Sequence, residues 1–184
     1  MIGNDIISLK HVTILTGDRK KRYYQKVFND SEIALIQKKH FHFIESLFWA
    51  YKESAYKGYF RLHQKKIVSP KKIIVSNYQP FNNTAEIITP AGTFNASAIV
   101  TSQYVHATAC LQNEGQYFTM GVTKNQDIAE AIALKKNKHP NEIRITKSAE
   151  NIPTLWINNQ PCALSLSHDY DWAAYCFVEN KQHT

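Results

Sequence analysis

Between residues 31 and 63 the chain runs without a proline and with one late glycine, Gly58. Ile44, Leu47, Phe48, Tyr51 and Ala55 recur there at helical spacing. That spacing predicts one long helix with an apolar stripe, which needs a surface to bury it. Asn29 followed three residues later by Glu32 reads as a capping box at its start, and Ser69-Pro70 marks a break beyond its end. Around this segment the chain reads as strands. Residues 2–9 mix β-branched and apolar residues, and 72–121 hold short β-rich runs separated by Pro, Gly and Asn. Those runs predict an antiparallel meander, and EIRIT, TLWIN, ALSLS and WAAYCFV return to strands near the end. Two further helices are expected, a basic amphipathic one over 18–28 and one over 126–137. One long helix among many strands gives an α+β class. No internal repeat, low-complexity tract or linker is visible, so residues 1–184 read as a single domain.

The 22 basic residues exceed the 15 acidic ones, leaving a net charge of +7. Such an excess favours an anionic partner: nucleic acid, an acidic protein or a phosphate-rich small molecule. No apolar run is long enough to cross a membrane, and the opening residues do not read as a secretory signal. Cys110, Cys162 and Cys176 are odd in number and form no C-x-x-C pair, which points to reduced thiols in a cytoplasmic protein. Dinucleotide-binding, P-loop and H-E-x-x-H motifs are absent. His40 and His42, two apart on a helix, point in different directions and cannot chelate together.

Three short segments could carry chemistry. Asp5 puts a carboxylate inside the apolar strand Gly3-Asn4-Asp5-Ile6, as a metal ligand on a rigid element or as an ordinary strand end meeting water. Trp49, Glu53 and Lys57 share a helix face away from the apolar stripe. There Glu53 and Lys57 form either a solvated pair or a hard oxygen ligand one turn from a cation. In Leu164-Ser165-Leu166-Ser167-His168 the serines share one strand face, with His168 at the strand end. Asp169, Tyr170 and Asp171 then read as a turn. The histidine of YVHATAC, His106, reads as a strand residue facing a neighbour or solvent, with contact to a ligand as the alternative.

Taken together and in order, GNDI, W-x-x-KES-x-x-K and SLSH resemble the three signatures of the 4'-phosphopantetheinyl transferase superfamily. The resemblance covers roughly residues 1–61 and 142–179. Their order resembles the short holo-acyl-carrier-protein synthase type. The stretch Ile143–His168 is similar to the approach to the last motif, with Pro153 where a G-x-P turn is usual and Asn151-Ile152 before it. Longer surfactin-type enzymes carry a second acidic residue two positions after the aspartate; Ile7 stands there in this chain. Residues 62–141 have no counterpart in the short enzymes and are expected to be a β-rich insertion that extends or covers the sheet carrying GNDI and SLSH.

The resemblance implies a transferase fold with an antiparallel sheet packed on one long helix. It implies transfer of the phosphopantetheine arm of coenzyme A to a serine of an apo acyl or peptidyl carrier protein, with Mg2+ as cofactor. Asp5 and Glu53 would hold the metal. Glu53, or an ordered water, would take the serine proton, and Lys57 would meet charge on the departing phosphate. Ser167 and His168 would contact the 3'-phosphate, with Lys52 as a second phosphate contact. Arg19–Arg22 and Lys26 would receive the acidic helix of the carrier. The rivals are a carrier-binding homologue without activity, whose mark would be loss of Asp5, Glu53 or Lys57, and a nucleic-acid module motivated by charge and aromatic content.

Overall fold

A computed structural model describes residues 1–12, 15–38, 43–112, 118–124 and 127–179. Strand β1 (Ile2–Ser8) leads into helices α1 (Gly17–Val27), α2 (Asp30–Lys38) and α3 (Ile44–His63). Strands β2 (Ile74–Gln79), β3 (Thr84–Thr89), β4 (Gly92–Val100) and β5 (Tyr104–Leu111) follow. Strand β6 (Phe118–Lys124) and helix α4 (Ile128–Lys136) come next. The described chain closes with β7 (Ile143–Lys147), β8 (Pro153–Ile157), β9 (Gln160–Asp169) and β10 (Trp172–Val178).

These strands form two antiparallel five-stranded sheets, ordered β1-β5-β4-β3-β2 and β6-β10-β9-β8-β7. The two orders are the same. Each begins with a strand, passes through helix, and continues as a four-strand meander whose last strand pairs with the first. The class is α+β, as expected, but the absence of a repeat is corrected at the level of topology. The first helical connection holds three helices and the second holds one, so no residue spacing is shared between the halves.

Residues 62–141 extend the sheet that carries GNDI, as expected, and form no separate sheet of their own. They supply β2–β5 to the first sheet and β6 and α4 to the second half. Strand β5 is central to the first sheet, because it pairs with β1 from Ile2↔Cys110 to Ser8↔Tyr104 and with β4 on its other side. A meander must bury one face, and this one meets α3. The stripe Ile44, Leu47, Phe48, Tyr51 and Ala55 is buried against Val75, Ile87, Phe94 and Val105. A second core gathers Ile132 of α4 with Leu155, Leu164 and Phe177.

The proline-free stretch carries two helices rather than one, and residues 39–42, with His40 and His42, lie outside the described residues. The capping box is present: Asn29 Oδ1 accepts from the Glu32 N–H and Glu32 Oε2 from the Asn29 N–H, both at 2.9 Å. The same carboxylate is fully buried, accepts the Val75 N–H at 2.7 Å and meets Lys52 Nζ at 2.8 Å. Glu32 therefore pins α2 to α3 and β2, an anchorage that a straight continuation of α3 would not give.

Strand β1 is the seam of the molecule. One edge pairs with β5; the other lies against β9, joined through side chains. The Asn4 N–H donates to Ser165 Oγ at 2.9 Å, and the Ser8 N–H donates to Asp169 Oδ2 at 2.7 Å. Gly3 lets α3 approach, since a Cβ there would sit 2.1 Å from the Ser54 carbonyl oxygen and 2.7 Å from the Gly58 nitrogen. Among the described residues no helix is long and apolar enough to cross a membrane.

Candidate active site

The close approach at Gly3 brings α3 down onto the residues that follow it on β1. Lys57 Nζ lies 2.8 Å from Asp5 Oδ1 and 3.0 Å from the main-chain oxygen of Asn4. Asp5 is nearly buried, its side chain 13% exposed. Burial is the main reason its carboxyl is raised above the usual range; Lys57 opposes the shift and Asp169 adds to it. Glu53 is raised too, first by burial and then by Asp5, with Lys57 again opposing. Asp5, Glu53 and Lys57, taken from segments about fifty residues apart, thus form one electrostatic group.

Asp169 adds to the shift of Asp5 and Asp5 to that of Glu53, with Lys57 the cation that opposes both. Hard carboxylate oxygens short of positive charge suit a divalent cation of the Mg2+ kind, which takes one or two protein carboxylates and fills the rest with water and phosphate. Asp5 and Glu53 fit that requirement. No group of three or more His, Cys, Asp or Glu among the described residues is arranged to hold a metal. The remaining ligands would have to come from outside the protein.

Beside this group opens a cleft of about 270 Å³ between α3 and the second half. Tyr56 and Phe60 line it from α3, with Ile152 just before β8 and Pro153 at its start. Lys57, Arg61, Lys147 and His168 bring basic groups to it, against one carboxylate, Glu150. An anion with an apolar or planar part matches that lining. Arg61 Nη2 donates to the Pro153 carbonyl at 2.7 Å and to the Leu164 carbonyl, fastening α3 to β8 and β9. Burial lowers the Arg61 pKa.

Two expected phosphate contacts are corrected. Lys52 is 1% exposed and points away from the cleft; it donates to the Pro70 and Ile73 carbonyls and pairs with Glu32. The reason is helical geometry, because a residue one position before Glu53 is turned about 100° around the axis. Ser167 is buried, and its hydroxyl accepts from Asn4 Nδ2 at 3.1 Å. His168, its neighbour, points the other way and is exposed on the cleft, as alternation along a strand requires.

The shared serine face is present as expected, but it receives Asn4 rather than a ligand. Asn4, Arg61 and Asp169 were not singled out from sequence. Asp169 carried a signal, since Ser165, Ser167 and Asp169 are two apart and share one strand face. Nothing of that kind marks Asn4 or Arg61. His106 faces a neighbour: it is 1% exposed, with Nε2 3.2 Å from Asn4 Nδ2.

Among the described residues the second topological half has no such group at the matching place. Its leading strand β6 reads FTMGVTK, without a carboxylate, and Gly121 is covered by the Tyr175 ring, which a Cβ would meet at 2.4 Å. No family model, curated protein or solved structure matches the chain.

Proposed function

We propose that this protein transfers the 4'-phosphopantetheine arm of coenzyme A to a serine hydroxyl of an apo carrier protein, releasing 3',5'-ADP. One observation carries the reading: Lys57, which the resemblance names, pairs with Asp5 of a separate motif, acts on the charge of Glu53 and lines a basic cleft. A further point supports it. Asn151, where the family's turn has glycine, takes φ +60°, a conformation glycine and asparagine tolerate best.

In this reading Arg61, Lys147 and His168 attract the phosphates, while Tyr56 and Phe60 give the adenosine or pantetheine portion an apolar wall. Glu53 takes the proton of the attacking serine. Lys57, held by Asp5 and the Asn4 carbonyl, presents its ammonium to charge that develops on the departing phosphate. Asp5 and Glu53 would hold Mg2+, which when bound neutralises and orients a pyrophosphate. Arg19, Lys20, Lys21, Arg22 and Lys26 are exposed along α1 and would receive an acidic helix of the carrier.

The test is incubation with coenzyme A, Mg2+ and a set of apo carrier proteins, read by intact mass. At least one carrier should gain the mass of one phosphopantetheine. Carrier binding without added mass would favour the inactive homologue instead.

A further inference from the structure

Asn4 lies between the candidate site and the seam of the two halves, and it is fully buried. Its N–H donates to Ser165 Oγ at 2.9 Å, and its side-chain Nδ2 meets Ser167 Oγ at 3.1 Å and His106 Nε2 at 3.2 Å. Its carbonyl accepts Lys57 Nζ at 3.0 Å. The residue that follows it is Asp5. The orientation of Asn4 therefore sets where the main chain presents both the acceptor and the carboxylate that hold Lys57.

His106 comes to Asn4 from β5, where it stands opposite Ile6 in the ladder. Its ring is 1% exposed, and Nδ1 has no hydrogen-bond partner; Asn4 Oδ1 has none either. An imidazole buried with one nitrogen unsatisfied is an expensive way to fill a core position that an aliphatic side chain could fill. Its pKa is pushed down to about 4, first by burial and then by Lys57, so the ring is neutral and one nitrogen is free to accept. The contact with Asn4 is the use the structure makes of that nitrogen.

We infer that His106 is a positioning residue for the Asp5–Lys57 pair, acting through the side chain of Asn4. The inference rests on the transferase reading for its kinetic consequence, though not for its geometry. It is specific to Nε2. A glutamine at 106 can place a polar atom near the Nε2 position, whereas an asparagine reaches only to the Nδ1 position.

The experiment compares His106→Gln with His106→Asn. One readout is turnover with the Michaelis constant for coenzyme A. The other is the rate at which acetic anhydride labels Lys57, quantified on its peptide, which needs no transferase activity. The asparagine variant should lose roughly ten- to a hundredfold in turnover with the Michaelis constant nearly unchanged, and its Lys57 should label faster. The glutamine variant should restore most of both. Equal behaviour of the two folded variants in labelling and turnover, with only thermal stability lowered, overturns the inference. If the wild type transfers nothing, the transferase reading fails, and the labelling of Lys57 still decides the role of His106. Should the asparagine variant not fold, Asn4→Ser, which removes the amide that meets His106, takes its place under the same two outcomes.

Discussion

Lys57 and Asp5 form an ion pair 2.8 Å long that bridges α3 to β1. Its side chains are partly exposed on the lysine side, so the pair matters less for stability than for where it puts an ammonium. Replacing Lys57 with Ala should lower turnover by on the order of 3 kcal/mol in the transition state and leave coenzyme A affinity little changed. The same change should move the Asp5 carboxyl further up, because Lys57 is the largest influence opposing its shift. Carboxyl NMR of Asp5 in the two proteins checks the direction, and a downward move would refute the pairing.

Asp5 and Glu53 both have carboxyls raised in the folded state. With the folded pKa above the unfolded one, the folded state binds more protons, so stability falls as pH rises past the ordinary values of 3.8 and 4.5. At neutral pH each carboxylate is then a destabilising charge. Asp5→Asn and Glu53→Gln should therefore raise the melting temperature without divalent cations, by about 2–4 °C for each kcal/mol recovered, while abolishing transfer. Calorimetry at pH 7 measures this; two destabilised variants would contradict the electrostatic reading.

His106 has the opposite sign. Its pKa falls from an ordinary 6.5 to about 4, so the unfolded chain takes up a proton first as the solution is acidified. Stability should be lost across pH 6.5 to 4, by roughly 3 kcal/mol. The difference between wild type and His106→Gln isolates this contribution from the carboxylates, which titrate the other way. Parallel stability curves for the two proteins would remove it.

Lys52 and Glu32 form a pair almost wholly removed from water. Such a pair adds little net stability, but removing one member strands the other. Lys52→Ala should cost about 3–5 kcal/mol, seen as an earlier urea midpoint. Coenzyme A affinity at a temperature where the variant is folded should stay the same. A large loss of affinity with normal stability would return Lys52 to the phosphate site.

The helix stripe, the Asn29–Glu32 cap, the strand runs and the three chemical segments were legible because each depends on residues close in sequence. The paired sheets were not, since β1 meets β5 about a hundred residues later and hydrophobic alternation does not say which strand is the partner. The same limit misplaced Lys52 and Ser167. Their types suit a phosphate, but Glu32 and Asn4, which claim them, are distant in sequence. That Lys57 and Glu53 share a helix face follows from their spacing, whereas the pairing of Lys57 with Asp5 depends on the close contact of Gly3 with α3, which spacing does not reveal.

The central claim is tested most directly with coenzyme A labelled separately in the pantetheine arm and in the adenine ring, incubated with Mg2+ and an apo carrier. Arm label should move to the carrier serine while an equal amount of adenine label appears as 3',5'-ADP. Coenzyme A that is bound by the protein yet recovered intact, with no label on any carrier, would contradict it.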